Sequence, residues 1–117
     1  YGHLDYIARY IPANSYTYDW HDFNDLICII LKTIIEQGKG IEINTAGLKY
    51  GMPEPNPCLD IIKIYHDLGG EIITVGSDAH EVKFFAYRFD VVADMLKNAG
   101  FNYYTIFNER KPEFIRL

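Results

Sequence analysis

Ile72-Ile73-Thr74-Val75-Gly76-Ser77-Asp78-Ala79-His80 is the stretch on which the fold turns. Its opening β-branched run predicts a buried strand, and Gly76-Ser77 ends it. Asp78 and His80 then stand two residues apart at the strand's mouth. Such a pair can share one face, where a carboxylate oxygen and a ring nitrogen converge on one cation. The competing structural reading is an aspartate capping the next turn beside a surface histidine.

Upstream, Leu59, Ile62, Ile64, Tyr65 and Leu68 repeat at helical spacing between Asn56-Pro57 and Gly69-Gly70, so a helix leads into that strand. His66 falls on its polar side. Before it, Leu48 to Pro57 is a Gly- and Pro-rich loop, a rim or lid whose one cation is Lys49. Gly40-Ile41-Glu42-Ile43-Asn44-Thr45 reads as another short strand. Its alternation puts Glu42 and Asn44 on one side, either lining the mouth of a barrel or forming a wet outer face.

Further back, Phe23, Leu26, Ile27, Ile30, Leu31, Ile34 and Ile35 predict a helix that buries a broad stripe, with Asp22 as N-cap and Gly38 as C-cap. Asn14 to His21, with Tyr16, Tyr18 and Trp20 alternating, reads as a loop over a surface, and His21 is not a ligand. Leu4 to Ile11 carries a helical pattern stopped by Pro12. If Tyr1 and Gly2 end a strand, His3 stands at its mouth; otherwise it is a solvated terminal histidine. Arg9 faces the same mouth or solvent.

Downstream, Phe89, Val92, Ala93, Leu96 and Ala99 predict a third long helix ending at Gly100. Tyr103 to Phe107 forms a strand, and Arg110-Lys111-Pro112 opens a short tail. Helices alternating with short apolar strands call for a parallel sheet, open or rolled into a barrel, with its chemistry at the C-terminal ends of the strands. His3, Glu42, Asn44, Asp78 and His80 all fall at such ends. Three or four strands cannot close a (β/α) barrel, so the missing strands are expected before residue 1.

The 117 residues fit one domain or part of one. At 49% hydrophobic and 15% aromatic, the chain is too apolar to be disordered. A net charge of −5 argues against a general nucleic-acid binder. No apolar run reaches the ~18 residues of a membrane span. Cys28 and Cys58 form neither a CxxC pair nor a disulfide framework, which favours a reducing, cytoplasmic setting.

Gly2-His3-Leu4-Asp5, Glu42-Ile43-Asn44-Thr45-Ala46-Gly47-Leu48, Gly69 through His80 and Arg110-Lys111-Pro112 resemble, in order and spacing, the C-terminal half of the histidinol-phosphatase branch of the PHP (polymerase and histidinol phosphatase) superfamily. The resemblance implies part of a distorted (β/α)7 barrel, residues 1–117 being its C-terminal portion with the N-terminal metal-binding half absent. It implies up to three divalent ions (Zn, Mn or Fe) in the complete barrel. The implied activity is hydrolysis of a small phosphomonoester, L-histidinol phosphate, in histidine biosynthesis. By motif, His3, Asp78 and His80 match metal ligands, Arg9 and Lys49 match positions suited to substrate phosphate, and Glu42 and Asn44 match a supporting motif. Lys49 stands where relatives often carry Arg, which trades a bidentate fork for a point charge. With most ligands missing, the segment alone is expected to be inactive. A non-catalytic half-barrel that pairs with itself or with a separate N-terminal half is the alternative, and a PHP nuclease a further one, disfavoured by the acidic balance.

Overall fold

A computed structural model describes residues 1–11 and 18–117. The reading of Asn14 to His21 as a surface loop, and of Pro12 as a stop, therefore falls partly outside the described residues. Among the described residues four strands form: β1 (Ile41–Asn44), β2 (Ile73–Gly76), β3 (Tyr103–Asn108) and β4 (Lys111–Arg116). The helices are α1 (Asn24–Glu36), the one-turn α2 (Ala46–Lys49), α3 (Leu59–Asp67) and α4 (Phe89–Asn98).

β1 and β2 are parallel, with Ile41 opposite Ile73 and Asn44 opposite Gly76. On the other side of β1, the Tyr1 amino group donates to the Gly40 carbonyl at 2.6 Å, and the Glu42 N–H donates to the Tyr1 carbonyl at 3.0 Å. These two bonds have the offset of a parallel ladder, so Tyr1 flanks Ile41 as a strand residue would. The β1–β2 pair is the part of the expected parallel sheet that the fold contains, and it makes the architecture mixed α/β.

β3 departs from that expectation. It pairs antiparallel with β4, from Tyr103 opposite Arg116 to Asn108 opposite Lys111. What reads as a short tail after Arg110 is thus a full strand. Its turn consists of Glu109 and Arg110 at φ 48° and 65°, the left-handed pair that a two-residue hairpin requires. Neither residue is the usual Asn or Gly, and a strand carrying Lys, Pro, Glu and Arg lacks clean alternation. β3 docks on β2 through a side chain: the Ile73 N–H donates to Thr105 Oγ1 at 3.2 Å, and Thr105 is buried.

The core lies between the β1–β2 pair and the helices. Ile41, Ile43 and Ile73 meet Leu31 of α1, Ile61, Ile62 and Tyr65 of α3, and Val92 and Leu96 of α4. Helical periodicity places these residues inward, but α1 buries a narrower stripe than expected. Only Ile27, Leu31 and Ile34 are buried, while Phe23, Leu26 and Ile29 remain exposed. Asp22 is not the cap of α1 either. It lies in a 3-10 turn, Trp20–Phe23, whose N-cap is Asp19, its carboxylate accepting from the His21 N–H at 2.9 Å. The helix expected over Leu4 to Ile11 shrinks to a 3-10 helix, Tyr6–Tyr10, because Leu4 alone finds the core and Ile7 and Tyr10 stay in solvent. Among the described residues no helix is long and apolar enough to cross a membrane.

The segment linking the end of β2 to α4 is strained. Ala86 and Arg88 have φ of 52° and 56°, a region that costs an L-residue roughly 1–2 kcal/mol. Replacing Ala86 with glycine removes that strain and gives back roughly 0.5–1 kcal/mol in unfolded-chain entropy. A net gain of about 0.5–1 kcal/mol is expected, read as a higher urea midpoint at unchanged slope. A lower midpoint would show that the Ala86 methyl group does more than sit in strained backbone.

Candidate functional site

Three backbone turns carry the site. His3 and Asp5 both adopt φ of 59° and Asp78 adopts 46°, a conformation that Asp and His tolerate better than most residues. The His3 carbonyl accepts from the Tyr6 N–H at 3.1 Å and the Asp5 carbonyl from the Ala8 N–H at 3.0 Å. The turn beyond Tyr1 is thereby folded back beside the C-terminal ends of β1 and β2.

Glu42 lies in the middle. Glycines flank its side chain: a Cβ on Gly2 would come within 3.0 Å of Glu42 Oε2, and one on Gly76 within 2.2 Å of Oε1. The space a side chain would take at either position is occupied by this carboxylate. Asn44 Nδ2 donates to Glu42 Oε2 at 3.2 Å, and Asn44 Oδ1 accepts from the Ala46 N–H at 2.9 Å, so the buried amide is held at both ends. His3 Nδ1 sits 3.5 Å from Glu42 Oε2, and its Nε2 lies 3.5 Å from Asn44 Nδ2 and 3.8 Å from Asp78 Oδ2. A proton on Nδ1, facing Glu42, and a lone pair on Nε2, facing the Asn44 amide, suit these two neighbours, and the same lone pair then lies beside the Asp78 carboxylate oxygen, two acceptors side by side.

His80 stands apart. Its Nδ1 is 2.9 Å from the Asp78 carbonyl and 3.9 Å from Asp78 Oδ1, and the side chain is 79% exposed. The fold brings together His3, Glu42, Asn44 and Asp78, and leaves His80 beside them with Nε2 free of this contact. Among the described residues no group of three His, Cys, Asp or Glu side chains is arranged to hold a metal ion. His3 Nε2 and Asp78 Oδ2 do fit as a pair. Bonds of roughly 2.0–2.2 Å from each would meet at one ion across their separation, with Glu42 orienting the imidazole from behind.

Asp5 is tied to structure. Its carboxylate accepts from Asn56 Nδ2 at 2.5 Å and from the Cys58 N–H at 3.2 Å. Burial pushes its pKa up to about 6, against the lowering effect of those two donors. The same burial pushes the Cys58 thiol up to about 11. Asn56 in turn exchanges two backbone hydrogen bonds with Asn44, at 2.7 and 3.0 Å. The loop expected to act as a rim or lid is therefore clamped at its far end to both β1 and the His3 turn.

Arg9 and Lys49 are brought together, which spacing alone left open. The Arg9 guanidinium lies 3.5 Å from the centroid of the Tyr50 ring, and Lys49 Nζ lies 4.8 Å from the same centroid and 4.5 Å from that of Phe84. Arg9 also hydrogen-bonds the Tyr6 hydroxyl, and the Tyr6 ring meets His3 edge-on with centroids 4.8 Å apart. An aromatic chain thus links the cations to the carboxylate and imidazole cluster. Sequence reasoning missed Tyr50, although its place directly after Lys49 was visible.

The chain is similar to histidinol-phosphatases. It is 43% identical over 105 residues to a probable histidinol-phosphatase of Thermotoga maritima, covering 89% of this chain and 42% of that protein. It is 30% identical over 112 residues to a histidinol-phosphatase of Lactococcus lactis, covering 95% and 41%. No family model matches the chain. The crystal structure of the Lactococcus lactis histidinol phosphate phosphatase, complexed with zinc, L-histidinol and phosphate, superposes with a TM-score of 0.75 at 26% identity, over 96% of this chain and 42% of that one. The chain thus spans about two fifths of the length of the relatives it matches. Over nearly its whole length, in sequence and in backbone, the chain is similar to the histidinol-phosphatases, as its GHLD, EIN and GSDAH stretches imply.

Proposed function

We propose that residues 1–117 form the C-terminal part of a single PHP-type barrel domain, and that the whole protein hydrolyses L-histidinol phosphate to L-histidinol and phosphate. The observation that carries this reading is the pairing of His3 with Asp78 at the strand mouths, with Glu42 behind the imidazole. The zinc, histidinol and phosphate bound by the Lactococcus lactis neighbour support it.

In this reading His3, Asp78 and His80 hold divalent ions, with Glu42 and Asn44 fixing the tautomer and direction of His3. When bound, such ions supply Lewis acidity toward phosphoryl oxygens and the charge to activate water. The chain's own residues bind and orient. Arg9 and Lys49 receive the phosphate oxygens, the guanidinium through paired N–H donors and the ammonium as a point charge. Asp78 places negative charge at the strand end, where cations are retained and the substrate anion is kept from the bare carboxylate. The missing ligands lie in the N-terminal half of the barrel, so the segment alone is inactive.

The test is turnover of L-histidinol phosphate by the purified intact protein, followed as released inorganic phosphate. Chelation by EDTA is expected to remove the activity, and added Mn or Zn to restore it. Activity unaffected by chelation would overturn the metal assignment, and turnover confined to phosphodiesters would overturn the substrate.

A further inference from the structure

Among the described residues three Lys or Arg side chains form an ion pair with a carboxylate. Lys63 meets Asp60 at 3.4 Å, Lys83 meets Glu81 at 2.9 Å and Arg88 meets Asp90 at 3.3 Å. Arg9 and Lys49 instead meet rings: among the described residues neither forms an ion pair with a carboxylate, and both converge on Tyr50. Two positive charges against one ring repel each other. The ring's negative face moderates that repulsion without neutralising either charge.

The backbone explains why Tyr50 can serve both. It is the C-cap residue of α2, and its N–H donates to the Gly47 carbonyl at 3.0 Å, so the ring leaves the end of a closed turn rather than a free loop. α2 is held in turn. The Thr45 N–H continues the β1 ladder to the Gly76 carbonyl at 2.8 Å, and Thr45 Oγ1 donates to the Tyr87 carbonyl at 2.6 Å. Tyr50 is half exposed and belongs to no part of the core, so packing does not account for its position. The positive charges of Lys49 and Arg9 lower the pKa of the Tyr50 hydroxyl from its ordinary value, which agrees with both charges facing it.

Resting on the reading of Arg9 and Lys49 as the phosphate receptors, we infer that Tyr50 is a positioning residue of the phosphate subsite. Its ring stacks the Arg9 guanidinium and gathers the Lys49 ammonium, making the two cations one receptor for the dianion of a phosphate monoester. The dianion completes what the ring leaves undone, because it neutralises both charges at once. A guanidinium stacked through its face keeps its N–H edge for oxygen atoms, and Arg9 gives the Tyr6 hydroxyl one donor of its five, so the stacking and the binding do not compete.

Inorganic phosphate is the probe, titrated calorimetrically into the intact protein alongside steady-state kinetics. Tyr50→Leu removes the ring and is expected to weaken phosphate binding about tenfold, raise KM by a similar factor and leave kcat within about threefold. Tyr50→Phe keeps the ring face and is expected to stay within about threefold of wild type in both. Unchanged phosphate affinity in Tyr50→Leu, or equal loss in the Phe and Leu variants, would overturn the positioning role. A wild-type protein that binds phosphate but does not turn over the phosphomonoester would sink the hydrolase reading instead, and the calorimetric comparison would still decide the role of Tyr50.

Discussion

Asp78→Ala is expected to lower turnover of L-histidinol phosphate by the intact protein more than about a hundredfold, since even the outer partners of metal ligands are worth roughly 10–100-fold. Asp78 supplies the charged oxygen 3.8 Å from His3 Nε2, and alanine leaves the imidazole with nothing to share. Alanine also suffers at φ 46°, so Asp78→Asn is the cleaner variant. Asparagine tolerates the left-handed region and keeps the side-chain shape, but it has no negative charge. Both variants should lose activity alike, and the asparagine one should unfold at the wild-type urea midpoint. Turnover within about tenfold of wild type in the asparagine variant would remove Asp78 from the ligand set.

The second large effect is on stability. A Cβ on Gly40 would stand 2.1 Å from the Ile72 carbonyl oxygen and 2.4 Å from its Cγ2. Ile72 immediately precedes β2, and its carbonyl accepts from the Ile41 N–H at 3.1 Å, so relief requires parting the two parallel strands where their ladder begins. Gly40→Ala is expected to destabilise the fold by about 3 kcal/mol, the upper end for overpacking because a strand rather than a side chain must move. Gly38→Ala serves as the comparison. Gly38 sits at φ 63°, and a Cβ added there would meet nothing within 4 Å, so only the left-handed cost of about 1–2 kcal/mol applies. Equal urea midpoints for the two variants would show that the β1–β2 contact yields more easily than its geometry implies.

How far the sequence could be read depended on whether the signal was local. β2 and the turn after it follow from Ile72 to His80 alone, since a β-branched run ending at Gly-Ser leaves few alternatives. The inward faces of α3 and α4 were legible from periodicity, as Ile62, Tyr65, Val92 and Leu96 show. β4 was hidden because its partner register depends on a left-handed turn made by Glu109 and Arg110, residues without a turn signature. The outer face of α1 was over-read for another reason: periodicity reports which residues share a face, but not whether anything covers it. At the site, alternation placed Glu42 and Asn44 on one side. The position of Glu42 between Gly2 and Gly76 depends on contacts across three segments and has no pattern in any one of them. The ring shared by Arg9 and Lys49 is of the same kind, joining residues far apart in the chain.

The hairpin has a consequence for the behaviour of the chain in concentrated solution. Because Asn108 and Lys111 close a two-residue turn, they form the hydrogen-bonded pair, and the next pair, Phe107 with Pro112, directs its backbone polar groups away from each other. The nitrogen of Pro112 therefore faces the outer margin of β4, where a neighbouring molecule adding a strand would need a donor and finds none. Lys111, Glu113 and Arg116 are exposed along the same strand. This margin resists the edge-to-edge stacking through which open sheets polymerise into insoluble aggregates.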